Sequence, residues 1–300
     1  NKKIYLTNLP RVKDIETMIK LLESLGSKVK YLKNKNSISI HNDRKIKTFV
    51  AYNLVKTMRA GILVLGPMLA RFGKAKVSTP GGCSIGIRPI DIHLKSLVKL
   101  GVKYKIIDGY VHAYSNKKLK GTKIKFPKIS VGATENLIIA SSMAEGKTIL
   151  SNCAIEPEIK DLINFINSIG GNIKWIGKRT LRIFGVNKFR ESKYEIMPDR
   201  IEAGTYLIAG AITQGNIKVT GIDPNIIKTE IDILKKIGAK IHLEKKQIKI
   251  IGSKIIKNIN IKTSPYPGFP TDLQAQLMVL LCKAKKYSVI VENIFENRFM

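Results

Sequence analysis

The chain has 300 residues, 44% of them hydrophobic, and its 53 lysines and arginines against 22 aspartates and glutamates give a formal net charge of +31. That length and apolar content suffice for two domains with their own cores and exclude a largely disordered chain. No apolar run approaches the ~18 residues that span a bilayer and no signal-peptide pattern opens the sequence, so we expect a cytoplasmic protein with no membrane contact.

Four stretches have the periodicity of an amphipathic helix, and each ends in a branched residue, a glycine and a short β-rich segment. Glycine in that place is typical of the left-handed residue that ends a helix. The pattern predicts four copies of a helix–glycine–strand unit, whose glycines are 68 to 75 residues apart: Gly26, Gly101, Gly170 and Gly238.

A second, more apolar helix that is rich in small residues recurs out of phase, and a strand follows each copy. These helices are predicted over 58–71, 135–144, 203–213 and 273–283, and the strands over 75–78, 148–150, 217–219 and 288–291, with Gly73, Gly146 and Gly215 at the first three junctions. Solenoid repeats are commonly 20–45 residues long. Units of ~70 residues favour closure around a core, with the apolar helices inside and the sheets outside.

Residues 79–89 read Thr-Pro-Gly-Gly-Cys-Ser-Ile-Gly-Ile-Arg-Pro. Three glycines and two prolines exclude a regular helix or strand there, so the backbone turns and presents the Cys83 thiol with several amide groups. Arg88 adds a planar cation suited to a phosphate or carboxylate. The segment is either an active-site loop for an anionic substrate or a surface turn with an incidental cysteine.

The sequence resembles the enolpyruvyl transferases over essentially its whole length. Seven ordered blocks carry the resemblance: residues 54–60, 80–93, 128–134, 156–159, 198–202, 269–276 and 295–300. It implies an inside-out α/β barrel architecture with two domains built from repeated α/β units of about 70 residues. Residues 1–197 would form the first domain, which carries the cysteine loop, and residues 198–300 the second.

A complete family member has six such units, so the resemblance implies a fragment that lacks both ends. A lysine–asparagine pair that binds phosphoenolpyruvate is expected upstream of residue 1, and a phosphate-binding arginine downstream of residue 300.

Among the enolpyruvyl transferases, the blocks are most similar to members that act on a nucleotide sugar. The resemblance then implies transfer of the enolpyruvyl group of phosphoenolpyruvate to the 3′-hydroxyl of UDP-N-acetylglucosamine, with release of phosphate. It assigns Cys83 as the proton donor and Asp272 as the base. From the residues alone, Thr271 or Asp272 is equally a helix cap.

The resemblance also implies a set of nucleotide-sugar contacts: Arg59, Arg88, Pro89, Ile90, Asp91, Ile92, Lys128, Ile129, Ser130, Val131, Asp272 and Ile294. Further candidates are Arg200, Glu156, Glu158 and Arg298, which interdomain ion pairs would explain equally well. His93 is expected to be structural, and Cys153 and Cys282 are expected to be packing residues. We expect no metal and no cofactor, because no His or acidic pair has ligand spacing.

Two other functions remain open. One is an enzyme like 5-enolpyruvylshikimate-3-phosphate synthase, and the other is an inactive fragment that only binds polyanions. The lysines are scattered, without a basic helix or an aromatic platform, and abundant Lys, Ile and Asn indicate A/T-rich codons. We therefore expect no specific nucleic-acid partner, and the sequence leaves the oligomeric state open.

Overall fold

The structure is a computed structural model that describes residues 3–32, 36–42, 46–55, 58–79, 90–295 and 298, except for the side chain of Arg59. The described residues fall into two compact units, one up to residue 197 and the other from residue 198.

The first unit alternates short strands with helices. Its strands are β1 (Lys3–Thr7), β2 (Ser27–Tyr31), β3 (Ile38–Asn42), β4 (Phe49–Val50), β5 (Lys74–Ser78), β6 (Lys103–Ile107), β7 (Tyr110–Tyr114), β8 (Lys123–Lys125), β9 (Lys147–Ser151), β10 (Asn172–Gly177), β11 (Thr180–Phe184) and β12 (Ser192–Glu195). Its helices are α1 (Lys13–Ser24), α2 (Tyr52–Val55), α3 (Leu65–Phe72), α4 (Asp91–Lys99), α5 (Val131–Ser141) and α6 (Pro157–Ser168), and a 3-10 helix (Arg59–Val64) precedes α3.

Three four-stranded sheets of this unit share one design, a parallel strand pair with an antiparallel hairpin beside it. Their strand orders are β4-β5-β7-β6, β10-β11-β9-β8 and β12-β1-β3-β2. In the last sheet the parallel pair joins β1 to β12, so the final strand of the unit returns to the first. The repeat predicted from glycine spacing is therefore a structural repeat as well.

The second unit repeats the same elements once and begins another copy. Its strands are β13 (Asn216–Thr220), β14 (Lys240–Glu244), β15 (Gln247–Ile251), β16 (Ile261–Lys262) and β17 (Ile290–Val291), and its helices are α7 (Arg200–Ile212), α8 (Lys228–Ile237) and α9 (Gln274–Leu281). Two 3-10 helices, Pro224–Ile227 and Thr271–Leu273, precede α8 and α9. Strands β13, β15 and β14 form an antiparallel sheet, and β16 pairs with β17 in parallel.

The four glycines that follow the amphipathic helices have the predicted left-handed backbone, with φ between 99° and 117°. This confirms the cap at each repeat. Gly73, Gly146 and Gly215 lie at the predicted helix–strand junctions, and at the third junction the residue with a left-handed backbone is Gln214 (φ 56°). The predicted strand at 288–291 is shorter, since only Ile290–Val291 pairs.

The apolar, small-residue helices α3 and α5 lie in the core of the first unit, as predicted. In the second unit, α7 and α9 pack one side into the core and leave Tyr206, Met278 and Val279 exposed. In α5, Ala133, Leu137, Ile138 and Ala140 are fully buried, and the inner faces of two sheets pack around them. The sheets of the described chain stay separate and open, so buried helices covered by sheets describe the architecture better than a closed barrel does. Among the described residues, no helix combines the length and apolar character needed to cross a bilayer.

Helices α3 and α5 touch at a glycine. A Cβ placed on Gly66 would lie 2.3 Å from Asn136 Oδ1 and 2.6 Å from the Asn136 carbonyl oxygen. The Gly66 amide instead donates a hydrogen bond of 2.7 Å to Asn136 Oδ1. Glycine is required at this position because the two backbones approach so closely.

We expect Gly66→Ala to lower the free energy of unfolding by about 1–3 kcal/mol, because the added methyl group must separate two packed helices. Urea denaturation measures the change. Gly177→Ala is the matched control, since its Cβ would meet Thr180 only at ordinary contact distances of 3.6–3.7 Å. Equal stability of the two variants would contradict the close-packing explanation.

Candidate active site

Part of the predicted site lies outside the described residues. Cys83, Arg88 and Pro89 belong to the segment 80–89, and the side chain of Arg59 is likewise not described. The remaining predicted residues occupy the starts of α4, α5 and α6 in the first unit, and the start of α7 and the segments before α9 and after β17 in the second unit.

Residues 90–92 form the entry to α4. Ile90 is half-buried and Ile92 is 4% exposed within the core, so the Ile92 side chain serves packing. Asp91 occupies the first turn, with Oδ2 3.4 Å from Lys95 Nζ. Its Oδ1 is buried and forms no hydrogen bond with the residues that the structure describes. Asp91 is thus an acceptor held at a helix N-terminus.

Residues 128–131 lead into α5. Ser130 caps this helix, because its hydroxyl accepts a hydrogen bond of 3.3 Å from the Ala133 amide. That cap starts the helix at Val131, four residues earlier than predicted. Lys128 and Val131 are exposed, whereas Ile129 packs against the core. An exposed lysine beside a helix N-terminus suits an anionic ligand.

A buried polar network joins α4, α5 and the segment before α3. Asn136 is fully buried, and its Nδ2 lies 3.2 Å from the Ile62 carbonyl oxygen and 3.1 Å from His93 Nδ1. If Asn136 donates to Nδ1, the proton of the neutral imidazole is on Nε2. His93 is 5% exposed and has the structural position expected for it.

Three glutamates gather where α5 meets the start of α6. Glu156 precedes α6 and is 7% exposed, Glu158 lies in the first turn of α6, and Glu135 is half-buried on α5. The pKa of Glu135 is raised to about 7. Burial is the largest cause, and the neighbouring carboxylates of Glu158 and then Glu156 contribute the rest. Glu135 therefore holds a proton near neutral pH, in a place where a third carboxylate charge would be costly.

In the second unit, Asp272 lies in the short 3-10 helix before α9. Its side chain is 61% exposed, and Oδ1 is 3.7 Å from Nη1 of Arg298, which is 15% exposed. No side chain of the described residues caps this 3-10 helix or α9 with a hydrogen bond. The Asp272 carboxylate is therefore presented to solvent and held by a cation.

Glu292 links Asp272's segment to Ile294. One carboxylate oxygen accepts a 2.9 Å hydrogen bond from Thr271 Oγ1, and the other accepts bonds from the amides of Ile294 (2.7 Å) and Phe295 (3.1 Å). Two predicted substrate residues far apart in sequence, Asp272 and Ile294, are thereby brought to one place. The sequence analysis missed Glu292, because no motif distinguishes it from other strand-end glutamates.

Arg200 forms an ion pair inside the second unit. Its Nη1 lies 3.7 Å from Glu230 Oε1, with both side chains at least 92% buried. The guanidinium also lies 5.7 Å from the ring centre of Tyr266, and Thr229 Oγ1 donates to the Pro267 carbonyl oxygen at 2.5 Å. These contacts hold α7, α8 and the turn that leads to Asp272 together.

The two described cysteines differ. Cys153 is fully buried, and desolvation raises the pKa of its thiol to about 12, so it is an inert packing residue as predicted. Cys282 is exposed at the end of α9, so its predicted packing role was wrong. The α9 helix ends there and the thiol faces outward.

The fold agrees with known proteins. A family model described as EPSP synthase (3-phosphoshikimate 1-carboxyvinyltransferase) matches residues 1–300. The crystal structure of the enolpyruvyl transferase NikO from Streptomyces tendae matches with a TM-score of 0.83 and 18% identity, over 97% of this chain and 69% of that one. EPSP synthase from Acinetobacter baumannii matches with a TM-score of 0.69 and 19% identity, over 97% and 68%. The chain therefore belongs to the enolpyruvyl transferase family.

Relatives with higher sequence identity indicate which members of the family this chain is most similar to. A UDP-N-acetylglucosamine 1-carboxyvinyltransferase from Pelagibacter ubique is 72% identical over 100% of this chain and 72% of its own length. Proteins of the same name from Trichlorobacter lovleyi and Rickettsia bellii are 48% and 45% identical, over 98% and 99% of this chain and 70% and 72% of their own lengths. Within the family, the chain is similar to UDP-N-acetylglucosamine 1-carboxyvinyltransferases, which confirms the resemblance found in the sequence.

The raised pKa of Glu135 predicts a pH-dependent stability. Between about pH 4.5 and pH 7 the folded state retains a proton that the unfolded chain loses, so the stability contributed at low pH is lost as the pH rises through 7. Glu135→Gln does not titrate. Relative to wild type, it should gain on the order of 1–3 kcal/mol across this window.

Urea denaturation at pH 5, 6, 7 and 8 measures this difference. Glu145→Gln, which replaces an exposed glutamate of the same unit, should show no such trend. A constant difference between wild type and Glu135→Gln over the whole range would contradict the assignment of a proton to Glu135.

Proposed function

We propose that this protein transfers the enolpyruvyl group of phosphoenolpyruvate to the 3′-hydroxyl of UDP-N-acetylglucosamine and releases phosphate. The observation that carries the proposal is the 72% identity over the whole chain to a UDP-N-acetylglucosamine 1-carboxyvinyltransferase. An enzyme resembling 5-enolpyruvylshikimate-3-phosphate synthase has less support, because the solved EPSP synthase from Acinetobacter baumannii is 19% identical to this chain, against 72% for that relative.

The reaction is an addition followed by an elimination. In the addition, the 3′-oxygen bonds to C2 of phosphoenolpyruvate, C3 gains a proton to become a methyl group, and the hydroxyl loses its proton. In the elimination, C3 loses a proton, the C2–C3 double bond reforms, and phosphate leaves with the electron pair of its C–O bond. One acid and one base of different protonation state are therefore required.

In this proposal Cys83 is the acid that protonates C3. An unperturbed thiol with a pKa near 8.5 is mostly protonated at neutral pH and can therefore donate a proton. A thiol of this kind also suits a covalent adduct with the enolpyruvyl unit.

Asp272 is the proposed base for the 3′-hydroxyl. Its support is the exposed carboxylate, the nearby Arg298 guanidinium and the absence of a capping bond to it within the described chain. The hydrogen bond from Thr271 Oγ1 to the Glu292 carboxylate fixes the backbone next to Asp272.

The nucleotide sugar is proposed to contact the starts of α4 and α5 in the first unit, and Ile294 of the second unit stays a predicted contact. Cations (Arg59, Arg88 and Lys128) would meet the diphosphate, helix-start amides and Asp91 would meet polar groups, and the aliphatic residues would flank the uracil and sugar. Peptidoglycan synthesis, cell shape and division, and a cytoplasmic location follow from that reaction.

Substitutions of Cys83 test the acid, in the protein expressed from its complete gene. Cys83→Ala should remove most turnover, and Cys83→Asp should retain part of it, because a carboxylic acid still donates a proton. Fosfomycin should alkylate the wild-type thiol, which intact-protein mass spectrometry detects as added mass, and should leave Cys83→Ala unmodified. Wild-type turnover by Cys83→Ala would refute the role. If wild type and variant are both folded but inactive, the result would favour a chain that only binds polyanions.

Removal of the Asp272 carboxylate tests the base. Asp272→Ala should lower kcat at least ~10²-fold, the low end of acid–base catalysis. Glu292→Gln should lower kcat less, since it weakens the support of Asp272 and Ile294 but leaves the base in place. Steady-state kinetics over pH 5–9 separate the two variants. An unchanged kcat for Asp272→Ala would exclude Asp272 as the base and leave it only a structural role at the start of the helix.

A further inference from the structure

The sheet β4-β5-β7-β6 carries an unusual set of side chains on its outer surface. Val77 and Val111 point into the core, so the residues that alternate with them point away from it. Three aromatic residues lie on that side: Phe49 on β4, and Tyr110 and Tyr114 on β7. Four lysines accompany them: Lys74, Lys76, Lys103 and Lys105. We call this surface the aromatic–lysine face.

The strand register sets these residues in alternating rows. On β7, Tyr114 lies between Lys74 of β5 and Lys103 of β6, whereas Tyr110 lies between Ser78 and Ile107. The rows are Lys74–Tyr114–Lys103 and Lys76–His112–Lys105, and Phe49 adjoins Lys76 on the fourth strand. Successive β7 positions on this side are ~7 Å apart along the strand, so the rings form a stripe with a cationic border.

Direct contacts hold one end of the stripe. The ring centres of Phe49 and Tyr110 are 5.8 Å apart, and Lys76 Nζ lies 5.4 Å from the first and 5.0 Å from the second. Phe49 is 47% exposed, and Tyr114 at the other end is 42% exposed. The rings are therefore accessible while their positions are fixed by the sheet.

The face has no negative charge of its own. Strands β4 to β7 contain no aspartate or glutamate, and among the described residues no carboxylate forms a salt bridge with the four lysines. Like charges set beside one another on a sheet repel and destabilise it. An anionic ligand that also has planar rings would relieve that repulsion and stack on the aromatic side chains.

We propose that the aromatic–lysine face binds single-stranded nucleic acid without sequence preference. Bases stack on exposed aromatic rings of a sheet while cations neutralise the phosphates, which is how single strands are held in general. An anionic membrane fits less well, because peripheral binding inserts a protruding apolar segment, whereas these rings lie among lysines on a flat sheet.

The aromatic–lysine face has no signal in the sequence, because its residues come from four strands between positions 49 and 114. Only the cross-strand register places Tyr114 between Lys74 and Lys103. The basic charge noted in the sequence is distributed over other sheets too, and single aromatic residues occur there as well, such as Phe184 on β11 with Arg182 over its ring. The outer side of β13-β15-β14 carries Lys218, Lys240 and Lys249 and no Phe, Tyr or Trp.

Fluorescence anisotropy with a labelled 12-nucleotide oligo(U) tests the proposal, on the protein expressed from its complete gene. Tyr110→Leu/Tyr114→Leu should weaken binding about tenfold or more at constant charge, since loss of stacking costs ~1.4 kcal/mol or more. Lys74→Gln/Lys103→Gln should reduce the slope of log affinity against log salt by about 1.4. Tyr110→Phe/Tyr114→Phe keeps both rings and should bind as wild type does.

The matched control is Lys218→Gln/Lys249→Gln, which removes the same charge from the sheet without aromatic residues and should change affinity less than twofold. Circular dichroism verifies folding, and Tyr114→Leu alone serves if the double variant does not fold. Wild-type affinity of the tyrosine variants, or an equal loss in the control, would overturn the proposal. So would binding to phosphatidylserine vesicles with no binding to oligo(U).

Discussion

The structure depends on helices that have no polar face. In α5 nearly every position is buried, including the polar Thr134 and Asn136, so this helix must be covered on all sides. A helix that is apolar all round is stable only in the interior, which leaves the sheets to cover it and to meet the solvent with their outer faces. The chain satisfies this constraint by repetition, because one unit of ~70 residues cannot enclose its own central helix.

Close packing then decides which polar groups the interior can hold. Gly66 lets α3 approach α5, and the same contact satisfies Asn136, which also holds His93. A buried amide that makes several hydrogen bonds fixes one arrangement of three segments, because any shift would leave a polar group unpaired. The starts of α4 and α5, where predicted ligand residues lie, are positioned by this buried network.

In the second unit, too, a few polar contacts hold separate segments of the candidate site together. Glu292 joins the segment of Asp272 to Ile294, and the buried Arg200–Glu230 pair holds the elements that precede it. Neither glutamate had a signal in the sequence, since each acts through residues that are far away along the chain. The aromatic–lysine face likewise depends on residues that are distant in sequence. The register between neighbouring strands brings them together, and none of them has a recognisable motif around it.

The sequence by itself determined the repeat, the glycine caps, the mixed α/β class and the family, because helix period, left-handed glycines and ordered motifs are local properties of the chain. It also predicted most element positions to within a few residues. Tertiary structure decided that Gln214 has a left-handed backbone, that Cys282 is exposed, and that Glu135 shares its surroundings with Glu156 and Glu158. Those properties depend on burial and on neighbours from distant segments, which no local pattern of residues contains.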